Sequence, residues 1–221
     1  MRTRTKVLTA IVGVPVLLLG ASAGLFAAGA GTWMNNWGAT MVETSIPLPG
    51  DEALPDAITA STKAITIHAT PKEIWPWIAQ MGIGRAGRYS YDWIERIIGS
   101  GEFVDGHSAE RIHPELQSRA VGDELMMHPP TDMKYTVARV EAPRLIVYRG
   151  MALSPMTWTF YLVPTDDGTR LITRWRGLPG SGLGEDVANA IFGTMDFVME
   201  QKMLRGIKER VERQNALGDE N

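Results

Sequence analysis

The balance of apolar and polar positions changes character three times along the chain. Residues from Val7 to about Ala30 form an uncharged apolar run preceded by Arg2, Arg4 and Lys6. At about 1.5 Å per residue, such a run is long enough to cross ~30 Å of hydrocarbon as a transmembrane helix. Small-residue sites at Ala21-Ser22-Ala23 and Ala28-Gly29-Ala30 fit a cleavable signal peptide instead. The apolar run continues through Leu25-Phe26, and Trp33 and Trp37 follow it like an interfacial belt, which favours an uncleaved anchor. Under either reading the rest of the chain lies outside the cytoplasm, because the basic residues precede the run and the next Lys is Lys63. The expected locations are therefore a single-pass membrane protein with an extracytoplasmic domain or, alternatively, a protein secreted after cleavage.

From Asn35 to Ser61 the sequence turns polar and carries Pro47, Pro49, Gly50 and Pro55, the composition of an extended linker. The expected organisation is an anchor or signal segment over 1–31, a linker over 32–62, a folded domain over 63–216 and a flexible tail over 217–221.

Within the domain the period of the pattern gives the elements. Ala64 to His68 alternates with period two and is rich in β-branched residues, predicting a first strand. Thr70, Pro71 and Glu73 make a helix start with a capping box, and Ile74, Trp75, Ile78 and Met81 follow at helical spacing up to a Gly82 cap. A second helix is expected from Ser90 as N-cap through Trp93, Ile94, Ile97 and Ile98 to Gly99. Strands follow at Glu124–Met127, Met133–Val140, Leu145–Arg149, Thr157–Val163 and Thr169–Arg176. Pairing across Asp166, Asp167 and Gly168 sets Trp158, Phe160 and Leu162 on one face with Leu171, Thr173 and Trp175. The other face carries Arg170, Arg174 and Arg176 and suits water. A long amphipathic helix from about Glu185 to Gln214 closes the chain.

Gly82, Gly84 and Gly87 spell G-x-G-x-x-G, but the dinucleotide fingerprint needs a strand feeding the glycines directly. Here a helix precedes them, so they join two helices. Composition narrows the chemistry further. The 221 residues carry a formal net charge of -3 and no cysteine, which excludes disulfides and thiolate chemistry and argues against a nucleic-acid partner. His68, His107, His113 and His128 form no ligand pair at helical spacing and read as surface residues, so no metal or cofactor is expected.

The element order, with the stretches WGATMVETSIPLPGD, ATPKEIWPWIAQMGIGRAGRYSYDWIE, HSAERIHPELQ, VGDEL and MTWTFYLVPTDDGTRLITRWR, resembles the START-like, or helix-grip, superfamily. More narrowly it resembles the bacterial SRPBCC proteins called polyketide cyclase/dehydrase-like. The resemblance implies an α+β fold of the START/Bet v 1 type, a curved antiparallel sheet around the long C-terminal helix, here joined to an N-terminal transmembrane helix. It also implies a cavity between sheet and helix that takes a hydrophobic small molecule or lipid. Trp158, Phe160, Trp175, Met195 and Met199 are its expected lining. Arg85, Arg88, Tyr89, Tyr91 and Asp92 cluster in the inter-helix loop, where Tyr89 and Tyr91 are expected at the cavity mouth as part of a lid. Asp92, Glu115, Asp196 and Glu200 are the carboxylates placed to approach a cavity, and none is singled out as catalytic. The expected function is a membrane-tethered binder of a hydrophobic molecule; the alternative is a polyketide cyclase- or dehydratase-like enzyme.

Overall fold

The computed structural model describes residues 30–151, 154–178 and 183–219. The apolar run that begins at Val7 lies outside these residues except for Ala30, and no described helix is long and apolar enough to cross a membrane.

The described chain falls into two compact units. In the smaller, helix α1 (Gly31–Asn35) accompanies the residues up to Val198, and the Trp33 ring packs on Phe197 with centroids 5.2 Å apart. The larger unit contains everything from Asn36 to Leu178 together with the chain from Met199 onward.

In the larger unit α2 (Met41–Ser45) is followed by strand β1 (Ile58–Ile67), α3 (Pro71–Gln80), α4 (Asp92–Ile97) and a long irregular segment. Then come β2 (Glu124–His128), β3 (Met133–Glu141), β4 (Leu145–Met151), β5 (Pro155–Thr165) and β6 (Gly168–Gly177). Helix α5 (Leu183–Asp219) ends the chain and passes through both units. The six strands form one antiparallel sheet in the order β1-β6-β5-β4-β3-β2. Irregular pairing between Thr59 and Ser61, Met126 and His128, and Val137 and Arg139 bends it, because an extra residue on one strand tightens the local twist.

The hairpin register agrees with the alternation: Trp158 faces Trp175, Phe160 faces Thr173 and Leu162 faces Leu171. These side chains point to the face on which Met203, Leu204, Ile207 and Val211 of α5 and Ile74, Trp77 and Ile78 of α3 close the core. A sheet gripping its last helix makes this the helix-grip architecture. The α3 capping box of Thr70 and Glu73 is present. The next helix starts later than expected, with Tyr91 rather than Ser90 at its N-cap, because the Ser90 hydroxyl is drawn away to donate to the Met199 carbonyl at 2.7 Å.

The first strand begins six residues earlier than the alternation from Ala64 suggests. Its polar start Ile58 to Thr62 pairs with β6, which has no other neighbour on that side. The face of the hairpin expected to meet water is also covered. Residues 36–57, read from composition as extended linker, lie over it as a strap. Arg174 Nε donates to Thr62 Oγ1, its Nη1 to the Ile46 carbonyl and Asp51, and its Nη2 to the Glu43 carbonyl. Arg170 grips both oxygens of Glu43, and Arg176 reaches the carbonyls of Asp51, Leu54 and Ala57. Irregular backbone can lie against a sheet only if its carbonyls find donors, and the three guanidinium groups supply them.

Candidate functional site

The inner face holds a charged pair where alternation alone calls for apolar residues. Lys63 lies on the same face of β1 as Ser61, opposite Thr173 and Trp175 of β6. Its ammonium is 2.6 Å from Glu200 on α5 and 3.2 Å from the Ser61 hydroxyl. The indole N–H groups of Trp158 and Trp175 donate to the two Glu200 oxygens, each at 3.2 Å. The two indoles are stacked, with centroids 4.6 Å apart and planes 13° from parallel. Lys63 is 1% exposed and Glu200 4%, so the pair sits in a low-dielectric interior with every charge matched. Glu200 was among the carboxylates expected near a cavity; Lys63 carried no expected facing, because it precedes the alternating run that begins at Ala64.

An aromatic wall extends from this pair. Phe160 lies 4.5 Å from Trp158, and Tyr148 6.2 Å from both. Across the sheet Tyr135 meets Trp175 edge-on at 6.0 Å, and its hydroxyl donates to the Met156 sulfur at 3.1 Å. Tyr135 fits because its cross-strand partner is Gly150, where an added Cβ would stand 1.8 Å from the ring. Trp175 and Met156 are only partly buried, so this end of the wall reaches the surface. The expected trio Trp158, Phe160 and Trp175 is thus brought together. Met199 lies one residue before Glu200 and is half-buried; Met195 belongs to the smaller unit and is 41% exposed.

The inter-helix loop is a stapled turn. Gly82 and Gly87 exchange backbone hydrogen bonds of 2.9 and 3.0 Å, and all three glycines of the triplet have φ between 70° and 141°, a region that suits glycine. Tyr89, expected at a cavity mouth, is 1% exposed and belongs to the core. Its hydroxyl donates to the Trp77 carbonyl at 2.9 Å, and the Arg210 guanidinium lies 4.9 Å above its ring. Burial raises its phenol above the ordinary range. Arg85 is turned inward too, with Nη2 on the carbonyls of Leu116 at 2.6 Å and Ala79 at 3.3 Å; burial lowers its pKa, and the neighbouring Arg119 lowers it further. Arg88 Nε is 3.4 Å from the buried Glu95. Asp92 accepts from the Ser108 backbone and hydroxyl at 2.9 and 2.6 Å, while Tyr91 is exposed against Trp93.

Beside this loop a cleft of about 260 Å³ is lined by Tyr89, Asp92, Ser108, Lys202, Arg210 and Arg213, among others. Its charges are already matched. Arg210 and Arg213 both pair with Glu110, and Lys202 with Glu209.

Of the four histidines expected at the surface, His113 departs from expectation: it is fully buried, with Asp105 2.9 Å from Nε2 and Glu115 3.0 Å from Nδ1. Its two carboxylate neighbours compensate the burial of a polar ring. No cluster of His, Asp and Glu with metal-holding geometry is found among the described residues.

A six-stranded antiparallel sheet closed by a terminal helix, with an aromatic inner wall, defines the helix-grip class of domain. Residues 59–212 match the family model described as polyketide cyclase / dehydrase and lipid transport, and the chain belongs to that family. Among solved structures, protein MLL2253 from Mesorhizobium loti is 17% identical with a TM-score of 0.42, over 69% of this chain and 96% of that one. The Polyketide_cyc-like protein Cgl2372 from Corynebacterium glutamicum is 15% identical with a TM-score of 0.40, over 73% and 95%. The di-domain ARO/CYC StfQ from the steffimycin biosynthetic pathway is 13% identical with a TM-score of 0.39, over 75% and 54%. No curated protein matches the chain.

Proposed function

We propose that this chain is a membrane-tethered helix-grip domain that binds a hydrophobic small molecule or lipid along the wall of Trp158, Phe160, Trp175 and Tyr135. The tether is the run from Val7 to Ala30, and the domain faces away from the cytoplasm. The observation that carries the binding reading is the buried Lys63–Glu200 pair beneath two stacked indoles. A buried ion pair is at best neutral for stability compared with well-packed apolar residues, so its presence on an aromatic wall is better accounted for by recognition than by folding. The apolar ligand body enters at the partly buried end of the wall, at Trp175 and Met156, with its polar end directed toward the pair. Family membership supports a hydrophobic ligand.

The test is titration of the purified full chain with cis-parinaric acid, a fluorescent apolar probe. Saturable binding that quenches tryptophan emission, and that Trp175→Leu weakens, is the expected result. Binding that does not saturate, or that Trp175→Leu leaves unchanged, would overturn the assignment of the wall.

A second reading, cyclase- or dehydratase-like acid–base chemistry, is favoured by one observation: the same wall carries an ionisable carboxylate, Glu200, held by three hydrogen-bond donors. Under this reading Glu200→Gln retains parinarate binding and loses turnover of a poly-β-ketone substrate. Turnover unaffected by Glu200→Gln removes the enzyme reading and leaves binding in place.

A further inference from the structure

Helix α2 presents its side chains in the reverse sense for a short helix lying on a protein. Its acidic residue Glu43 turns inward to the fork of Arg170, with 14% of the side chain exposed. The hydroxyls of Thr44 and Ser45 donate back to the Met41 carbonyl, at 2.9 and 2.6 Å. Met41 is 86% exposed, Val42 64%, and Ile46 at the C-cap 46%. Single exposed apolar residues are ordinary, but three within six positions of one rigid element form a patch. The exposure is fixed in place. Thr40 and Glu43 form a complete capping box, and the Ile46 N–H closes the last turn on the Val42 carbonyl at 3.0 Å.

The position of α2 in the chain indicates what covers that patch. Trp37 is fastened to the sheet: its carbonyl accepts from Ala64 N at 3.1 Å, and the Arg205 guanidinium stands 5.3 Å from its ring. Ala30, the end of the uncharged apolar run, lies seven residues before Trp37, a span of at most about 25 Å even when fully extended. Met41 follows four residues later. No Lys or Arg occurs from Val7 to Thr62, and Glu43 is neutralised by Arg170, so no unpaired charge on α2 opposes entry into a headgroup layer.

We infer that α2 is a membrane-docking helix that rests Met41, Val42 and Ile46 in the interfacial layer of the bilayer crossed by Val7–Ala30. This rests on the tether proposed above. Docking turns the β1–β6 edge of the sheet toward the lipid and fixes the attitude of the domain.

Because the chain contains no cysteine, single-cysteine labelling tests the inference directly. Full chains carrying Met41→Cys, Val42→Cys or, as control, Val121→Cys are labelled with an environment-sensitive nitrobenzoxadiazole dye and reconstituted into phosphatidylethanolamine–phosphatidylglycerol vesicles. Val121 is 66% exposed and precedes β2, at the sheet edge opposite β1. The expected result is a blue shift, loss of iodide quenching and quenching by lipid spin-labelled near the headgroup at 41 and 42, with none of these at 121. If the chain floats with the vesicles while the labels at 41 and 42 stay as open to iodide as that at 121, docking is overturned and the tether stands. Shielding at 41 and 42 without quenching by spin-labelled lipid means that protein covers the patch, either a second copy or residues 7–30, and also overturns it. A chain that does not float refutes the tether and docking together.

Discussion

The strongest chemical signals in this domain are single residues that break the local pattern. Lys63 interrupts a β-branched strand and Glu200 an apolar helix stripe, and the structure joins them at 2.6 Å. Glu95 departs from its surroundings in another way. It is fully buried, with neither carboxylate oxygen hydrogen-bonded and Arg88 Nε 3.4 Å away. Burial pushes its carboxyl up from the ordinary value of 4.5, and Arg88 only partly opposes the rise. A carboxyl raised by folding contributes stability that is complete below the unfolded value and is lost as pH rises through the folded one. The domain should therefore weaken as pH climbs from about 4.5 through the raised value. Glu95→Gln should remove that component, so that urea unfolding at neutral pH shows a higher midpoint than the parent and the gap closes near pH 4.5. A midpoint difference that does not change with pH would show that the Glu95 carboxyl titrates alike in the folded and unfolded states.

At the scale of elements, the strap is held by the back face of one hairpin. Arg174 is 2% exposed and satisfies the carbonyls of Glu43 and Ile46, the Thr62 hydroxyl and Asp51. Removing one partner of a buried, hydrogen-bonded charge network typically costs about 3–5 kcal/mol. Arg174→Met should cost a sum of that order in urea unfolding and raise amide exchange within residues 38–57 well before exchange in β5 and β6 changes. Equal loss of protection in strap and sheet would mean that the two unfold as one unit. This element also shows what the sequence made legible. The shared face of Trp158, Phe160 and Leu162 with Leu171, Thr173 and Trp175 followed from alternation, because a one-residue slip would separate them; the pairing of Trp158 with Trp175 did not, since a slip of two leaves the faces unchanged. The strap was not legible. Arg170, Arg174 and Arg176 on one face of a strand look the same whether they face water or irregular backbone, and the proline-rich segment that covers them has no period of its own. The inner placement of Tyr89 was hidden for a similar reason: an aromatic just after a glycine-rich turn suits a lid and a plug equally, and only the Trp77 carbonyl and Arg210, distant in sequence, decide it.

At the scale of the whole molecule, the proposed reading requires the folded domain to lie on the side of the membrane away from Arg2, Arg4 and Lys6. The first 62 residues contain no other Lys or Arg, whereas Glu43, Asp51, Glu52 and Asp56 follow the apolar run. Retention of basic residues on the cytoplasmic side then leaves one orientation for the run, since acidic residues downstream offer little resistance to translocation. A periplasm-active phosphatase fused after Asn221 of the full chain should therefore be active, and a fluorescent protein that matures only in the cytoplasm should stay dark at the same site. Replacing Arg2, Arg4 and Lys6 together by Glu removes the bias and should lower phosphatase activity in favour of cytoplasmic fluorescence. Bright cytoplasmic fluorescence from the parent fusion would place the domain inside and would refute this orientation. The sheet, the strap and the aromatic wall would stand unaltered, since each is built from described residues that follow Asn35.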